Sequence, residues 1–576
     1  MRHQRKLSIH CRVIAGVLSV LLQGVALAQT VDPGLQFRTD QERQQAEQQQ
    51  LLNRPDVRLP TGPVASDERL LADEAPCFMI DRVVFEGDEP FRQDSLHWVN
   101  LGASLAGRDG DDPPDGHCLG AQSIGVLQKR AQNALVDAGY VTSRVVVGRQ
   151  DISTGTLQLT VIPGRIGAVT LDDPDQRGHW WNALPSGPGD LLNLRDIEQG
   201  LENFKRLPTA NADIQIAPAA PGASPGVSDL AISYHQNFPF RLTLTADNYG
   251  TKWTGRNEGS ATLSWDNVIG QNDLFYVTFN HTLNFMNPDG RGTNGNTIYY
   301  AIPYGDWLLS ADRYTYDYYQ SVAGLNQNYV YSGTSAVNEV KLSRVMYRDA
   351  VNKYEAGIKG FSRRTNNFID NTEVTVQNTA VGGWEGSLNG RRYFGESVID
   401  GSAIWHQGTG AFGSQPAPGQ ALGDATSHME ILWLNASAQV PFKILDQGFS
   451  YNGIWRWQGA WTPLMPQDQF AIGGPYTVRG FDGNNQLVAG RGWLIRNDLN
   501  VRWLEWAAPY VGLDYGEVGG QGSQYLVGQK LAGAVIGLRG RLSNLQYDVF
   551  ASQPVQKPMY FVTANYFCGF SLALIL

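Results

Sequence analysis

Phe240-Arg241-Leu242-Thr243-Leu244-Thr245-Ala246-Asp247 alternates without a break: Leu242, Leu244 and Ala246 fall on one side, Arg241, Thr243, Thr245 and Asp247 on the other. A period of two is that of a strand with one apolar and one polar face. The pattern returns down the chain. Ala261, Leu263 and Trp265 alternate with Ser260, Thr262, Ser264 and Asp266; Phe275, Val277 and Phe279 with Thr278 and Asn280. Trp455, Trp457 and Gly459 alternate with Arg456 and Gln458, and Leu545, Tyr547, Val549 and Ala551 with Gln546 and Asp548. The last such run places Val562, Ala564, Tyr566, Cys568, Phe570, Leu572, Leu574 and Leu576 on one apolar face, opposite Thr563, Asn565 and Ser571. It is expected to close against the first strand.

A soluble β-sandwich alternates too. The N-terminus argues against it. Arg2, Arg5 and Lys6 precede an apolar core from Val13 to Leu22, and Ala26-Leu27-Ala28 is a small-residue cleavage site, so residues 1–28 read as a secretory signal. No later segment has the run of about 20 apolar residues that a spanning helix needs. A membrane chain without such helices must cross as a closed barrel, because lipid cannot satisfy an open sheet edge. The region after residue 240 holds about 336 residues, and at roughly 21 per strand plus loop that allows about sixteen antiparallel strands. The transmembrane β-barrel is assigned to residues 237–576.

The formal charge of −10 is diffuse and gives no surface for nucleic acid. Residues 29–56 hold a segment, Thr39 to Asn53, that is polar nearly all round and reads as a helix capped at Thr39 or Asp40. Such a helix either bridges solvent, as a flexible extension would, or sits in a water-lined pore. Residues 57–75 read as a Pro-containing linker.

Two small α+β modules follow, 76–163 and 164–236. The first has a strand at Phe78–Glu86, a helix whose face is Ile124, Leu127, Ala131, Leu135 and Ala138, and strands at Tyr140–Val147 and around Leu157–Val161. The second repeats the order: a strand at Arg165–Leu171, a helix lined by Leu194, Ile197, Leu201 and Phe204, then strands around Ile214–Ile216 and Leu230–Tyr234. Of four cysteines, Cys11 lies in the signal, Cys568 in the last strand, and Cys77 and Cys118 share one module of an exported chain, where a disulfide is expected.

Gly222-Ala223-Ser224-Pro225-Gly226 has the spacing of a nucleophile elbow but leads into a strand, where the elbow needs a helix. It reads as a loop. No P-loop, zinc-type His pair or supported carboxylate pair is found, so no catalytic residue, metal or cofactor is assigned. The densest signal is Gln469-Phe470-Ala471-Ile472-Gly473-Gly474-Pro475-Tyr476-Thr477-Val478-Arg479-Gly480-Phe481. Glycines, a proline and apolar anchors surround a single cation. An ordinary extracellular loop is one reading. A loop folded into the barrel, near 466–492, would need this composition, and Arg479 would then need an anionic partner.

Val478-Arg479-Gly480-Phe481 resembles the VRG-aromatic signature of the inward sixth loop of two-partner secretion transporters, the TpsB family of haemolysin and filamentous-haemagglutinin exporters. Asp514-Tyr515-Gly516 resembles the D-x-G motif of the strand that holds that loop. The likeness extends through Gly116-His117-Cys118-Leu119-Gly120, Ile162-Pro163-Gly164-Arg165-Ile166, Leu194-Arg195-Asp196-Ile197-Glu198 and Arg496-Asn497-Asp498-Leu499. It implies two POTRA domains in the periplasm, a sixteen-stranded outer-membrane barrel, an N-terminal helix plugging the pore, and an Arg479–Asp514 pair with Gly516 beside it. The implied partners are a large secreted TpsA-type protein (adhesin, haemolysin or contact-dependent toxin), outer-membrane lipid, and the barrel assembly machinery during biogenesis. Barrels of this family commonly end on an aromatic residue read by that machinery; this chain ends on Leu576, and Phe570 is the nearest phenylalanine. A POTRA-barrel insertase, a passive porin and an adhesin are the competing readings. Two modules, the cysteine pair and the helix favour the transporter.

Overall fold

A computed structural model describes residues 33–52, 55–60, 68–71, 74–93, 98–107, 109–173, 177–283, 291–323, 327–504 and 506–576. The signal-peptide assignment, 1–28, lies outside them. No described helix is long and apolar enough to cross a membrane. Sixteen long strands instead form one closed antiparallel barrel, from Phe240–Asp247 to Phe567–Ile575. The seam between those two runs from Ser571↔Asp247 to Ile575↔Thr243. Beyond it, Leu242 and Leu576 exchange backbone hydrogen bonds of 3.0 and 2.8 Å. Asn248 extends it at the other end: its Nδ2 donates to the Cys568 carbonyl and its Oδ1 accepts from the Phe570 N–H.

The last strand is shorter than its alternation predicts. Val562–Tyr566 stay outside the ladder because that stretch belongs to the barrel interior's loop contacts: Asn485 Nδ2 donates to the Val562 carbonyl, and Thr563 bonds Asp482. Apolar residues on the outer wall stay exposed, Leu263, Phe279 and Ile358 among them, while their alternates Thr262, Thr278 and Phe361 are buried inside. Burial of Thr262 against Thr278 (Oγ1–Oγ1 2.8 Å) shows how the lumen face satisfies its polar groups across neighbouring strands.

The two N-terminal modules each pack a helix on a three-stranded sheet. In the first, Arg82–Glu86 runs parallel to Thr156–Ile162, which pairs with Arg144–Val146. The single strand expected at Phe78–Glu86 breaks at Asp81, whose N–H donates to the Gly155 carbonyl. Phe78–Ile80 turns away to pair with His117–Leu119, and Cys77 is bonded to Cys118. The strand expected from Tyr140 begins at Arg144. Tyr140 itself is buried under the module's helix, Ala121–Asp137, edge-on to Phe91, with its N–H closing the last helical turn on Leu135. In the second module Arg165–Leu171, Val227–Gln236 and Ala210–Pro218 form the sheet beneath Leu194–Lys205. Gly222–Gly226 is the loop joining the last two of those strands.

The Pro-containing stretch, where described, is docked. Glu74 accepts from the N–H groups of Gly120, Gln122 and Ser123, supplying the cap that Gly120 cannot give its own helix. Leu59 and Val57 donate their N–H groups to Glu198 and Glu202 of the second module.

Candidate functional site

The N-terminal helix spans Pro33–Leu51, not Thr39–Asn53. Pro33 suits the first helical position, where no N–H bond is lost. Asp40 therefore lies inside the helix, buried, and not at its cap. Gln36, Arg38, Arg43 and Gln44 are buried too, although the helix has no apolar face. It runs through the barrel lumen, where polar side chains meet polar walls. Arg43 lies 3.2 Å from Glu258 and 3.7 Å from Asp247. Gln44 Nε2 donates to Thr297 Oγ1, and Gln36 bonds Thr251 and Thr254 of the loop after the first barrel strand. Arg38 donates to the Pro466 carbonyl at the root of the inward loop. Phe37 takes the Arg363 guanidinium over its ring at 5.1 Å, and Arg363 makes a forked ion pair with Asp468 at 2.7 and 2.8 Å. Leu51 ends the helix against Leu207, Leu274 and Tyr276.

The loop between Gln447–Ala460 and Arg491–Arg502 folds into the same lumen. Phe470–Ile472 pairs with Leu487–Ala489 as a small hairpin. Val478, Phe481, Ile472 and Leu487 pack with Leu494, Val518, Leu531 and Phe561, so the tip carries its own apolar core. Arg479 is 3 % exposed. Its Nε donates to Asp514 Oδ2 at 2.7 Å, its Nη2 to Asp514 Oδ1 at 2.8 Å and its backbone N–H to Oδ2 at 3.0 Å. A second carboxylate, Asp498, accepts from Nη2 at 2.6 Å and ties in Arg539 at 2.9 Å. Arg496 stands 3.9 Å from Asp514. Planar guanidinium against two carboxylates is the strong, directional form of ion pair.

Glycines clear the wall for this loop. A Cβ on Gly516 would lie 2.8 Å from Val478 Cγ2, and one on Gly512 2.9 Å from Arg479 Nη2. At Gly533 a Cβ would fall 1.7 Å from the Arg479 carbonyl. Gly480 adopts φ +105, a left-handed region open to glycine. Arg539 and Gly533 escaped the sequence reading, and Asp498 entered it only within a family motif, with no role assigned. For Asp498 the available signal was strand alternation, which puts Arg496, Asp498 and Asn500 on one lumen-facing row.

A polar collar joins the second module to the rim of the barrel at its N-terminal end. Arg348 donates to Glu198 Oε2 at 3.0 Å, to Glu202 Oε1 at 2.9 Å and to the Val57 carbonyl at 2.5 Å. Lys353 pairs with Glu202. Asn203 Nδ2 reaches the Gly305 carbonyl, and Asn272 reaches Asn182 and the His179 carbonyl. Burial pushes the Glu202 carboxyl up, but Lys353 and Arg348 outweigh it and hold it below its ordinary range.

This architecture has counterparts. Residues 226–540 match the family described as "Haemolysin secretion/activation protein ShlB/FhaC/HecB". The chain belongs to that family. Residues 111–164 match its ShlB-type POTRA domain and residues 165–218 a second POTRA domain. Outer membrane transporter CdiB-2 of Burkholderia pseudomallei (strain 1026b) is 37% identical over 92% of this chain and 93% of its own length. Hemolysin transporter protein ShlB of Serratia marcescens is 25% identical over 70% of this chain and 71% of its own. The structure of CdiB from Acinetobacter baumannii superposes with a TM-score of 0.82 at 26% identity, covering 95% of this chain and all of that one. The chain is thus an outer-membrane transporter of two-partner secretion, with its POTRA domains in the periplasm and its barrel in the outer membrane. Neither the insertase nor the porin reading is supported by these relatives.

Proposed function

We propose that the POTRA domains receive a large, unfolded TpsA-type protein and that the barrel passes it to the cell surface, with the lumen helix as a removable plug. Of the three cargo classes, a contact-dependent toxin is favoured, since CdiB-2 is 37% identical over nearly the whole chain. An extended cargo segment can add to an open POTRA sheet edge by main-chain hydrogen bonds. No nucleotide site was found in the sequence, so folding of cargo outside the cell is the proposed bias on transport.

The observation that carries the plug assignment is the burial of a predominantly polar helix among lumen side chains, led by Arg43 against Glu258 and Asp247. Contacts of this kind exchange readily for water, which suits reversible occupancy. Deleting residues 30–55 is expected to raise single-channel conductance in planar bilayers while the partner still reaches the medium on co-expression. Unchanged conductance would overturn the plug; a partner retained in the periplasm by the intact chain would overturn the export assignment.

A further inference from the structure

The outer wall of the barrel is ridged with large apolar side chains, as a lipid-facing surface must be. Glycines interrupt these ridges, and one of them lies beneath an extracellular loop. Gly360 pairs with Val340 on one neighbouring strand and Trp384 on the other, and both partners are exposed, so Gly360 shares their outward face. Having no side chain, it leaves a notch. Gly382, one step further toward the cell exterior on the Trp384 strand, is outward as well. A Cβ there would meet the Ala411 carbonyl at 2.4 Å and Phe412 Cβ at 3.0 Å. The extracellular loop therefore folds down onto the wall at Gly382, and Phe412 overhangs the notch. Phe412 is 63% exposed and adopts φ +56, a left-handed conformation uncommon for a side chain of its size. Val340, Leu342, Ile358, Gly360, Trp384 and Phe412 bound a cavity of about 480 Å³ that opens outward.

Above the notch the wall turns cationic. Arg313, Asn338 and Ser362 lie at one height by register, and Arg313 donates to Asn338 at 2.9 Å, which donates to Ser362 at 3.2 Å. Arg364 follows on the Gly360 strand, about 13 Å beyond that glycine at roughly 3.3 Å per residue. It is exposed, and a Cβ on Gly413 would lie 3.0 Å from its Nη2, so it reaches the loop beside Phe412. The POTRA connection enters at Phe240, which fixes that end as periplasmic. By strand order the 410–429 loop and both arginines lie at the outer-leaflet boundary.

The geometry points to a binding site for a phosphorylated, acylated glycolipid of the outer leaflet. One acyl chain fills the notch over Gly360 beneath Phe412, and Arg313 and Arg364 take the headgroup phosphate. An apolar slot long enough for part of a chain, roofed by one aromatic residue and rimmed by two guanidinium groups at headgroup height, matches that amphiphile in both shape and charge. An uncharged lipid would leave the arginines without use, and a soluble anion would leave the slot without one.

The test is native mass spectrometry of the full-length chain, extracted from its own outer membrane in mild detergent, with bound lipids identified by mass and phosphate content. About one phosphorylated glycolipid per barrel is expected to be retained. Gly360→Leu fills the slot, and Arg313→Gln with Arg364→Gln removes the charge. Each is expected to lower retention about tenfold or more, the first by excluding the acyl chain and the second by the worth of a lost charge-assisted contact. Gly401→Leu, also on the outer wall but away from the notch, is expected to leave retention unchanged. Heat-modifiable electrophoretic mobility reports whether each barrel is folded. Should Gly360→Leu fail to assemble, Phe412→Ser removes the roof without touching the wall. Equal retention in all folded variants would overturn the site, as would retention of an ordinary glycerophospholipid in place of the glycolipid.

Discussion

Arg479 rests on two carboxylates of unequal weight, and this makes a measurable prediction. Asp514→Ala removes the acceptor for its Nε, its backbone N–H and one Nη2 bond, leaving only Asp498 at 2.6 Å. Breaking a buried ion pair costs about 3–5 kcal/mol. The surviving Asp498 contact and lumen water hold the loss near the lower end, about 3 kcal/mol, which is a factor of roughly a hundred in the loop's docking equilibrium. Asp498→Ala removes one bond to Arg479 and one to Arg539, and is expected to cost about 2 kcal/mol. In the double variant Arg479 has neither carboxylate, so the joint loss should exceed the sum by about 1 kcal/mol or more. Hydrogen–deuterium exchange of the Val478–Phe481 peptide in the full-length protein reads this directly, because the Arg479 N–H is itself bonded to Asp514. Additivity within about 0.5 kcal/mol would show that the two carboxylates do not share the arginine. In the Arg479→Ala/Asp514→Ala cycle the losses should overlap instead, since each variant removes the same pair. Secretion by a double variant impaired as much as two independent losses would refute direct pairing.

Gly533→Ala should expel the loop tip with every charge intact, because the new methyl would fall 1.7 Å from the Arg479 carbonyl; Gly519→Ala, with nothing within 4 Å, is the matched control. Protease cleavage of the loop, rising sharply in the first and unchanged in the second, is the readout. The collar predicts acid sensitivity: the Glu202 carboxyl is held below 4.5 in the folded state, so its contribution is full above that pH and is lost as pH falls through the lowered value. Spin-label distances between the second POTRA domain and the barrel should broaden on acidification. Glu202→Gln should remove that acid-dependent step and weaken the seam at neutral pH by roughly 2 kcal/mol.

What was legible in the sequence follows from what is local. Alternation in Phe240–Asp247 or Leu545–Gln556 needs only neighbouring residues, and a strand facing lipid cannot hide its pattern. The last strand misled because Val562, Ala564 and Tyr566 keep the period while a tertiary contact, Asn485 and Asp482 of the inward loop, takes their segment out of the ladder. The lumen helix misled at its start for a related reason. Thr39 and Asp40 are good caps in isolation, but in the pore Asp40 is buried within the helix and the chain begins its turns at Pro33. The roles of Asp498 and Gly533 were not legible because each meets an atom of Arg479 that lies 19 residues or more away in sequence and arrives there by folding inward.

The lumen helix and the inward loop share partners, which constrains how they move. The first extracellular loop holds the helix through Thr251 and Thr254 to Gln36, and holds the inward loop through the Lys252 N–H to Asn484 and Arg256 near Asp482. On the opposite side Arg363 touches Phe37 of the helix and pairs with Asp468 at the loop's root, while Arg38 bonds Pro466. Helix docking therefore orders residues that the loop also needs, and a coupling free energy between two sites acts equally in both directions. A variant that loosens the loop, such as Asp514→Ala, weakens helix occupancy to the extent that it populates the undocked loop, up to the factor by which helix removal weakens the loop. Raised conductance in Asp514→Ala, matched by faster exchange at Val478–Phe481 after deletion of residues 30–55, is the expected pair of results. One without the other would mean that the shared contacts carry no coupling and that the two elements move independently.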